Sequence, residues 1–283
     1  MNAAHAQFRA VPLDFPPLGS LERERLRATF DEAAELYDRA RPGYPPAMFG
    51  DLAELGKLGP GSRVLEIGCG TGQATMPLAE RGYSIVAVEL GAELATVAQR
   101  KLARFPSVEV VVSAFEDWAL PSEPFDAVVV ATAFHWLDPA TRVSKSADAL
   151  RAGGALASIS THHVAGATWN QTFFDEVQAC YERWDPATPP GLRLKPASEI
   201  PFETDELNQS DRFNPPEFRR YEWDQTYSTA TYLEVLQTYS GHRLLPPDLR
   251  AGLLACIAEL IDTHYQGSIT KRYLTELRVA RSR

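Results

Sequence analysis

The stretch VLEIGCGTGQAT, from Val64 to Thr75, places a run of glycines directly behind a short apolar segment. A strand that leads through a glycine turn into a helix brings the backbone N–H groups at the helix N-terminus close to a bound ligand. Glycine allows this close approach because it has no Cβ. The stretch therefore predicts an α/β fold with a nucleotide-like ligand at the end of its first strand.

The spacing of the glycines narrows the class of ligand. Gly68, Gly70 and Gly72 form the pattern G-x-G-x-G. The dinucleotide fingerprint needs its third glycine one position later, where this chain has Gln73. The spacing thus argues against a nicotinamide dinucleotide.

Two acidic residues near the glycines predict the charge of the ligand. Glu66 lies two residues before Gly68, where a carboxylate would repel a pyrophosphate but attract an ammonium group or a sulfonium. Glu89 ends the next apolar run, SIVAVE, where an acidic side chain can accept hydrogen bonds from both ribose hydroxyls. A nucleoside that carries positive charge satisfies both observations.

The order of apolar runs along the chain predicts the sheet. Short runs rich in β-branched residues alternate with helical stretches, which is typical of a parallel sheet in a doubly wound α/β fold. These runs are RVLEI, SIVAVE, VEVVVSA, DAVVVAT and ALASIST. With further strands at FRRYEWDQTYS and SITKRYLTELRVARS, we expect a Rossmann-like sheet of about seven strands whose last strand is antiparallel.

The last of these runs predicts an edge position in the sheet. Apolar residues alternate from Tyr273 to Val279, as they do in an antiparallel edge strand with one solvated face. On this interpretation Lys271 and Arg272 are solvated charges of the edge strand.

Helical segments lie on both sides of this alternating part. LERERLRATFDEAAELYDRA has apolar residues such as Leu26, Phe30 and Tyr37 at helical spacing, and it ends at the prolines of ARPGYPP. After residue 161 the chain becomes helical and then proline-rich, which we interpret as a cap over the ligand edge of the sheet. The cap is rich in aromatic residues: Trp169, Phe173, Phe174, Tyr181 and Trp184.

Composition excludes several classes of protein. The chain has 283 residues, of which 45% are hydrophobic, so it can bury a substantial core. Its formal net charge of -9 argues against a non-specific nucleic-acid binder. The three cysteines form no C-x-x-C pair, so the sequence predicts neither a metal site nor a disulfide. Without a signal peptide or a long apolar run, we expect a cytoplasmic protein that does not associate with a membrane.

Together these motifs resemble the class I S-adenosylmethionine-dependent methyltransferases over roughly residues 25 to 162. VLEIGCGTG looks like their first motif, and VEL, which contains Glu89, looks like their second. SAFEDW is similar to the loop that brackets the adenine, and FDAVVVATAFHW to their fourth strand. YDRARPGYP is similar to the signature of a small-molecule subgroup related to the trans-aconitate type.

The resemblance implies S-adenosyl-L-methionine as cofactor and S-adenosyl-L-homocysteine as product. By this resemblance the glycine turn packs under the cofactor, Glu66 reaches its amino group, Glu89 holds its ribose, and Arg41 binds its carboxylate. The implied cofactor-binding residues are Tyr37, Arg41, Glu66, Gly68, Gly70, Thr71, Gly72, Gln73, Glu89, Leu90, Ala114, Phe115, Glu116, Thr132, His135 and Trp136. Ala114 and Phe115 would bracket the adenine, and Thr132, His135 and Trp136 would face the reactive methyl group.

The resemblance also implies an organisation of the chain and a reaction. We expect an N-terminal helical lid at 1–58, a cofactor-binding core at 59–162, a cap that admits the acceptor at 163–215, and C-terminal strands and helices at 216–283. The aromatic residues of the cap predict a small acceptor with an apolar or aromatic character, methylated on oxygen, nitrogen or carbon by in-line displacement. The strongly anionic acceptor that the nearest relatives imply would need more arginine on the cap than Arg183 and Arg193. Neither a nucleic acid nor a membrane is expected as a partner, and the number of subunits is left open.

Candidate catalytic residues are Tyr37, His135, His162 and His163, with one of the last two as general base if the acceptor must lose a proton. Simpler interpretations stay open: the two adjacent histidines as a helix cap or solvated loop, Arg41 as a cation at a helix end, and Cys69 as a small buried filler. Packing is the favoured role for Tyr227, Tyr232, Tyr239 and His242.

Two other functions compete with the methyltransferase. A nicotinamide-dependent oxidoreductase would require glycine in place of Gln73 and would disfavour Glu66. A non-catalytic S-adenosylmethionine-binding partner of another enzyme would keep the first half of the chain but would need no enclosed acceptor pocket.

Overall fold

A computed structural model describes residues 29–166, 168–202 and 205–283, although the side chains of residues 168–170 and 205 are left out of the description. In this part of the chain seven strands form one sheet in the order β3-β2-β1-β4-β5-β7-β6. The first five strands pair with one another in parallel, and the last strand is antiparallel, as predicted. The strands are β1 Arg63–Ile67, β2 Ser84–Glu89, β3 Val108–Val112, β4 Phe125–Ala131, β5 Leu150–Val164, β6 Glu217–Ser228 and β7 Ser268–Arg281.

The position of β1 in the sheet determines where a ligand can bind. Its residue Leu65 pairs with Val86 of β2 on one side and with Val128 of β4 on the other. The strand order reverses at β1, because β2 and β3 follow on one side and β4 and β5 on the other. In doubly wound sheets a ligand binds beyond the carboxyl ends of the strands at such a reversal, and here the glycine turn leaves β1 at that point.

The helices of the described residues largely match the predicted helical stretches. Pro46 begins one of them, since proline at the first helical position loses no intrahelical hydrogen bond, and that helix ends before Lys57 in the left-handed conformation. The helices are Ala34–Ala40, Pro46–Gly56, Thr75–Ala79, Ala92–Leu102, Arg142–Ala149, Thr168–Glu176, Gln178–Trp184, Asp205–Asn208, Thr229–Gln237, Ser240–Arg243 and Pro247–His264. Short 3-10 helices lie at Phe134–Trp136 and Ala197–Glu199.

The chain packs into two compact units. The core unit comprises Pro42–Thr161, Phe202–Tyr221 and Thr275–Arg283. The cap unit comprises the described residues up to Arg41 together with His162–Pro201 and Glu222–Leu274. The strands β5, β6 and β7 each contribute residues to both units.

The core unit buries apolar residues on both faces of its sheet. Adjacent strand residues such as Val64 and Leu65 are both fully buried, and they belong to two different hydrophobic clusters. Ala127 and Val128 divide between the same two clusters. Because side chains alternate between faces along a strand, both faces are covered, which explains the uninterrupted apolar runs of the sequence.

The cap unit has its own aromatic core. Phe173, Tyr181, Tyr232 and Tyr273 are buried there with aliphatic residues of the long helix Pro247–His264. Contrary to the sequence prediction of no disulfide, Cys180 and Cys256 are joined by one. The prediction was wrong because the partners lie on helices 76 residues apart, a distance over which sequence spacing carries no signal. Cys69 remains a free, buried thiol.

The edge position predicted for the last strand was also wrong. β7 lies between β5 and β6, so β6 and β3 are the edges of the sheet in the described part of the chain. Lys271, expected to be a solvated edge charge, is only 3% exposed. Arg272 is partly exposed and forms an ion pair with Asp224 at 2.8 Å. Alternation of apolar residues does not distinguish an edge strand from an inner strand that is itself covered on one face.

Some predictions concern residues that lie outside this description. The amphipathic helix from Leu21 is described only from residue 29 onward, and Leu26 and the Trp169 side chain fall outside the described residues. Among the residues that are described, no helix combines the length and apolar character that a bilayer-spanning helix needs.

Candidate functional site

The glycine turn after β1 adopts the conformation that only glycine accepts easily. Gly68, Gly70 and Gly72 have φ values of 69°, 57° and 88°. A Cβ added to Gly68 would lie 2.6 Å from the Cβ of Ala133, which follows β4. Both the positive φ and this close approach of two chain segments explain why glycine stands at this position.

Glu66 on β1 is a buried carboxyl group at the start of this turn. It is 1% exposed, and neither of its carboxylate oxygens accepts a hydrogen bond of normal geometry from a described residue. Burial raises the pKa of the Glu66 carboxyl to about 8, the Thr75 hydroxyl offsets part of this shift, and the charge of Glu89 adds to it. A buried carboxyl of this kind is ready to ionise beside a cation.

Glu89, at the end of β2, is held in place by the backbone of two turns. One carboxylate oxygen accepts a hydrogen bond from the Gly70 N–H at 2.8 Å, and the other accepts one from the Gly91 N–H at 2.9 Å. The carboxylate is therefore fixed against the glycine turn.

Two further polar groups of the turn are buried. The Thr71 hydroxyl and the Gln73 side-chain nitrogen have no hydrogen-bond partner among the described residues. Buried polar atoms are normally hydrogen-bonded, so their accumulation with Glu66 at one turn indicates a polar ligand. Cys69 in the same turn is not activated as a nucleophile: burial, with the charges of Glu89 and Glu66, raises the pKa of its thiol well above the ordinary value.

The residues predicted to surround the adenine differ in their exposure. Leu90 directly after Glu89 is 42% exposed, a high value for a leucine. Phe115 is buried in the hydrophobic core with Phe125. One oxygen of Glu116 accepts a hydrogen bond from the Asp138 N–H at 3.0 Å.

Thr132 at the end of β4 has an unusual backbone conformation. Its φ is 53°, which is a rare value for a β-branched residue, and such outliers concentrate at functional sites. Its hydroxyl lies 3.0 Å from the hydroxyl of Tyr44, a residue that the sequence analysis did not single out. His135 and Trp136 follow with their ring centroids 4.7 Å apart, and both side chains are half-buried.

The remaining candidate residues lie in the cap unit. Arg41 follows the helix Ala34–Ala40, and its guanidinium lies 5.0 Å from the ring centroid of Tyr37 and 4.4 Å from that of Tyr239. One of its terminal nitrogens donates to the Thr238 carbonyl at 3.0 Å, while Nε is buried without a partner among the described residues.

His162 and His163 belong to β5, which extends to Val164 and so includes both histidines. His162 is buried, whereas His163 is half-buried with its Nε2 3.3 Å from the Tyr239 hydroxyl. His163 also lines a cavity of the cap unit together with Tyr232, Tyr239 and Lys271.

Lys271 is the residue of this cavity that sequence reasoning missed. The sequence does indicate its burial, because Lys271 alternates with Ile269 and Tyr273 and so lies on the same face of β7 as these two residues. Assigning β7 to the edge of the sheet hid that signal. His242, for which packing was favoured, is fully buried and lies 3.0 Å from the Tyr181 hydroxyl.

Part of the chain matches a known protein family. Residues 65–158 match the family described as methyltransferase domain. This stretch runs from β1 through most of β5 and therefore contains the glycine turn, Glu66 and Glu89.

Curated relatives of this chain are named as methyltransferases. An uncharacterized methyltransferase from Mycobacterium tuberculosis is 35% identical over 148 residues, which cover 52% of this chain and 54% of the relative. The chain thus spans about half the length of such relatives. An uncharacterized methyltransferase from Schizosaccharomyces pombe is 25% identical over 237 residues, with coverage of 83% and 88%.

Solved structures share the fold. A protein from Anaeromyxobacter dehalogenans, provisionally described as a type II methyltransferase, is 25% identical with a TM-score of 0.55, over 86% of this chain and 97% of its own. A phosphoethanolamine N-methyltransferase from Haemonchus contortus, in complex with phosphomonomethylethanolamine and S-adenosylhomocysteine, is 18% identical with a TM-score of 0.52, over 94% and 61%. The second likeness concerns the fold alone. The predicted resemblance is thus confirmed: through residues 65–158, the chain is similar to the class I S-adenosylmethionine-dependent methyltransferases.

Proposed function

We propose that this chain transfers a methyl group from S-adenosylmethionine to a small molecule. The observation that carries the proposal is the glycine turn with its two acidic residues: Glu66 is buried without a hydrogen-bond partner among the described residues, and Glu89 is anchored by the Gly70 N–H. A turn of this kind favours a ligand that combines a cation with ribose hydroxyls.

The charges and hydrogen-bonding groups of the core unit suit the proposed cofactor. When bound, S-adenosylmethionine supplies a methyl group that its sulfonium already activates. Glu66 balances a positive charge of the ligand, which removes the cost of burying that carboxylate. Glu89 accepts from hydroxyl groups while its two backbone N–H donors hold it in one orientation.

Other residues complete the proposed cofactor site. Thr71 and Gln73 offer buried polar atoms at the turn, and Leu90 offers an exposed apolar surface beside Glu89. Arg41 suits the carboxylate of the cofactor, because its buried Nε still has a hydrogen bond to donate.

The proposed catalytic residues orient the acceptor and take up its proton where one must leave. Thr132, His135 and Trp136 follow β4 and provide polar and aromatic surface. The proposed base is His163, since its ring lies against the Tyr239 hydroxyl and lines a cavity, whereas His162 is buried. Tyr37 contributes an aromatic face that can contact a cation.

Two other functions remain as competing proposals. A non-catalytic binder of S-adenosylmethionine would use the same glycine turn, but it would have no need for the cavity at His163. A nicotinamide-dependent oxidoreductase is disfavoured, because Glu66 would lie beside a pyrophosphate and Gln73 occupies the position of the third glycine.

The proposal can be tested with S-adenosylmethionine that carries a deuterated methyl group. The protein is incubated with this cofactor and a cell extract, and mass spectrometry locates the label. We expect label in a small molecule with the wild type and much less with Glu89→Ala. Label found only in protein or nucleic acid would contradict a small-molecule acceptor, and cofactor binding without any labelled product would favour the non-catalytic binder.

A further inference from the structure

Lys271 on β7 is a buried cation surrounded by aromatic rings. It is 3% exposed, and its Nζ lies 5.4 to 5.8 Å from the ring centroids of Phe174, Tyr232, Tyr239 and Tyr273. In the described part of the chain, no carboxylate forms an ion pair with this ammonium group. Burying a charge is costly unless it is paired, and aromatic faces compensate only part of that cost.

This ammonium group faces a cavity within the cap unit. The cavity is lined by His163, Phe174, Val177, Gln178, Tyr181, Leu192, Arg193, Leu194, Tyr232, Leu236, Tyr239 and Lys271. Its second cation, Arg193, already forms an ion pair with Asp175 at 3.3 Å. Lys271 is therefore the cation of this lining that lacks a described anionic partner, and the rest of the lining is largely apolar or aromatic.

The aromatic groups that surround Lys271 add no negative charge at neutral pH. Burial raises the pKa of Tyr232, Tyr239 and Tyr273 above the ordinary value, so these phenols stay neutral. His163 is neutral or positive, and the Arg41 guanidinium lies against the Tyr239 ring. The carboxylates nearest to the lining are Asp175, which pairs with Arg193, and Glu182, which accepts a hydrogen bond from Gln178, so neither pairs with the Lys271 ammonium group.

We propose that this cavity binds the carboxylate of a small molecule that has one negative charge and an apolar or aromatic body, with Lys271 as its partner. A single charge is favoured over several, because one unpaired cation lines the cavity and the surrounding surface is apolar. The carboxylate anchors the molecule, and the aromatic rings of the cavity contact its body.

Protonation of Lys271 is coupled to this binding. Burial, together with the Arg41 guanidinium, lowers the pKa of Lys271 to about 7. A bound carboxylate favours the ammonium form, so above that pH binding takes up a proton. We therefore expect affinity for the anion to fall as the pH rises through this value.

The test is calorimetric titration of the full chain with monocarboxylates and their amides. Phenylacetate and 3-phenylpropionate serve as anions, and the two corresponding amides serve as neutral probes of the same shape. The titrations use the wild type, Lys271→Met and the matched control Arg272→Met, whose side chain pairs with Asp224. Each titration of an anion is repeated in two buffers of different ionisation enthalpy, which gives the number of protons taken up.

We expect the carboxylates to bind the wild type and Arg272→Met, and to bind Lys271→Met about tenfold or more weakly. Proton uptake should be present in the wild type above neutral pH and absent in Lys271→Met. Equal affinity for carboxylates and amides, or unchanged binding of carboxylates to Lys271→Met, would overturn the site.

Binding of S-adenosylmethionine to the same samples separates this proposal from the proposed function. Lys271→Met should retain the cofactor. Loss of cofactor binding in that variant alone would overturn the carboxylate site in favour of a role for Lys271 in holding the cofactor. Failure of every variant and of the wild type to bind the cofactor would instead count against the proposed function.

Discussion

At the scale of single residues, Glu66 combines full burial with an unsatisfied carboxyl group. Such a group costs stability in the free protein, and a cationic ligand is the partner that removes the cost. The proposed charge of the ligand can therefore be tested through the stability of the free protein, which is measured without the ligand. Natural proteins tolerate such local conflicts mainly at functional sites.

The substitution Glu66→Gln tests this through the pH dependence of the free energy of unfolding. The pKa of Glu66 is raised to about 8 in the folded protein from an ordinary value of 4.5, so between these values the folded state keeps a proton that the unfolded state has lost. Stability contributed by this group is thus lost as the pH rises toward 8. Glu66→Gln should be more stable than the wild type by about 1–3 kcal/mol at pH 8, with the difference much smaller near pH 4.5.

Urea unfolding at the two pH values measures this difference. Exposed Glu54→Gln is the control, and it should show no such pH dependence. The same Glu66 variant should bind S-adenosylmethionine more weakly. A Glu66→Gln variant that is no more stable at high pH than the wild type would show that the carboxyl group is not held unpaired.

Gly68→Ala tests the glycine turn. The new Cβ would lie 2.6 Å from the Ala133 Cβ on a backbone with φ of 69°, so we expect a loss of about 1–3 kcal/mol in the free energy of unfolding. Gly43→Ala is the matched control, because no heavy atom lies within 4 Å of its added Cβ. Adding Ala133→Gly should restore part of the loss; no restoration would mean that the contact with Ala133 is not the cause.

Residues differ in how far the sequence alone predicts their role. The conformation of the three glycines follows from their local pattern, and the burial of Glu66 follows from its place in an apolar strand. Lys271 could not be assigned in the same way, because its burial depends on rings such as those of Phe174 and Tyr232, which come from segments distant in sequence.

At the scale of elements, the predicted strands and helices match the described structure closely because the apolar runs are short and separated by clear helical stretches. The predicted strand FRRYEWDQTYS, for example, corresponds to β6, Glu217–Ser228. The fifth strand was predicted to end before His162, but it continues to Val164. Polar residues near a strand end suggest a loop, although pairing in the sheet continues through them.

The disulfide between the helices Gln178–Trp184 and Pro247–His264 is an element-scale feature with a measurable effect. A cross-link over 76 residues restricts the unfolded chain, so replacing Cys180 and Cys256 by serine should lower the free energy of unfolding by about 2–4 kcal/mol. Chemical denaturation with and without a thiol reductant is the measurement. The reductant should destabilise the wild type and leave the double variant unchanged; a wild type that is insensitive to reductant would contradict the bond.

At the scale of the whole molecule, fold and family can be predicted from the sequence better than function. The motifs of residues 65–158 specify both a sheet topology and a cofactor chemistry, and the family match falls on the same stretch. The proposed carboxylate site depends on residues of the cap unit that are distant in sequence, such as His163, Tyr239 and Lys271. No local motif encodes such a set, so the sequence predicted only its aromatic character.

The central claim, that the chain binds S-adenosylmethionine through the glycine turn and Glu89, is tested most directly by calorimetry with S-adenosylmethionine and, separately, NADH. We predict that S-adenosylmethionine binds the wild type, that Glu89→Ala weakens this binding by about 1–3 kcal/mol, and that NADH does not bind. Binding of NADH alone, or S-adenosylmethionine affinity that Glu89→Ala leaves unchanged, would contradict the account.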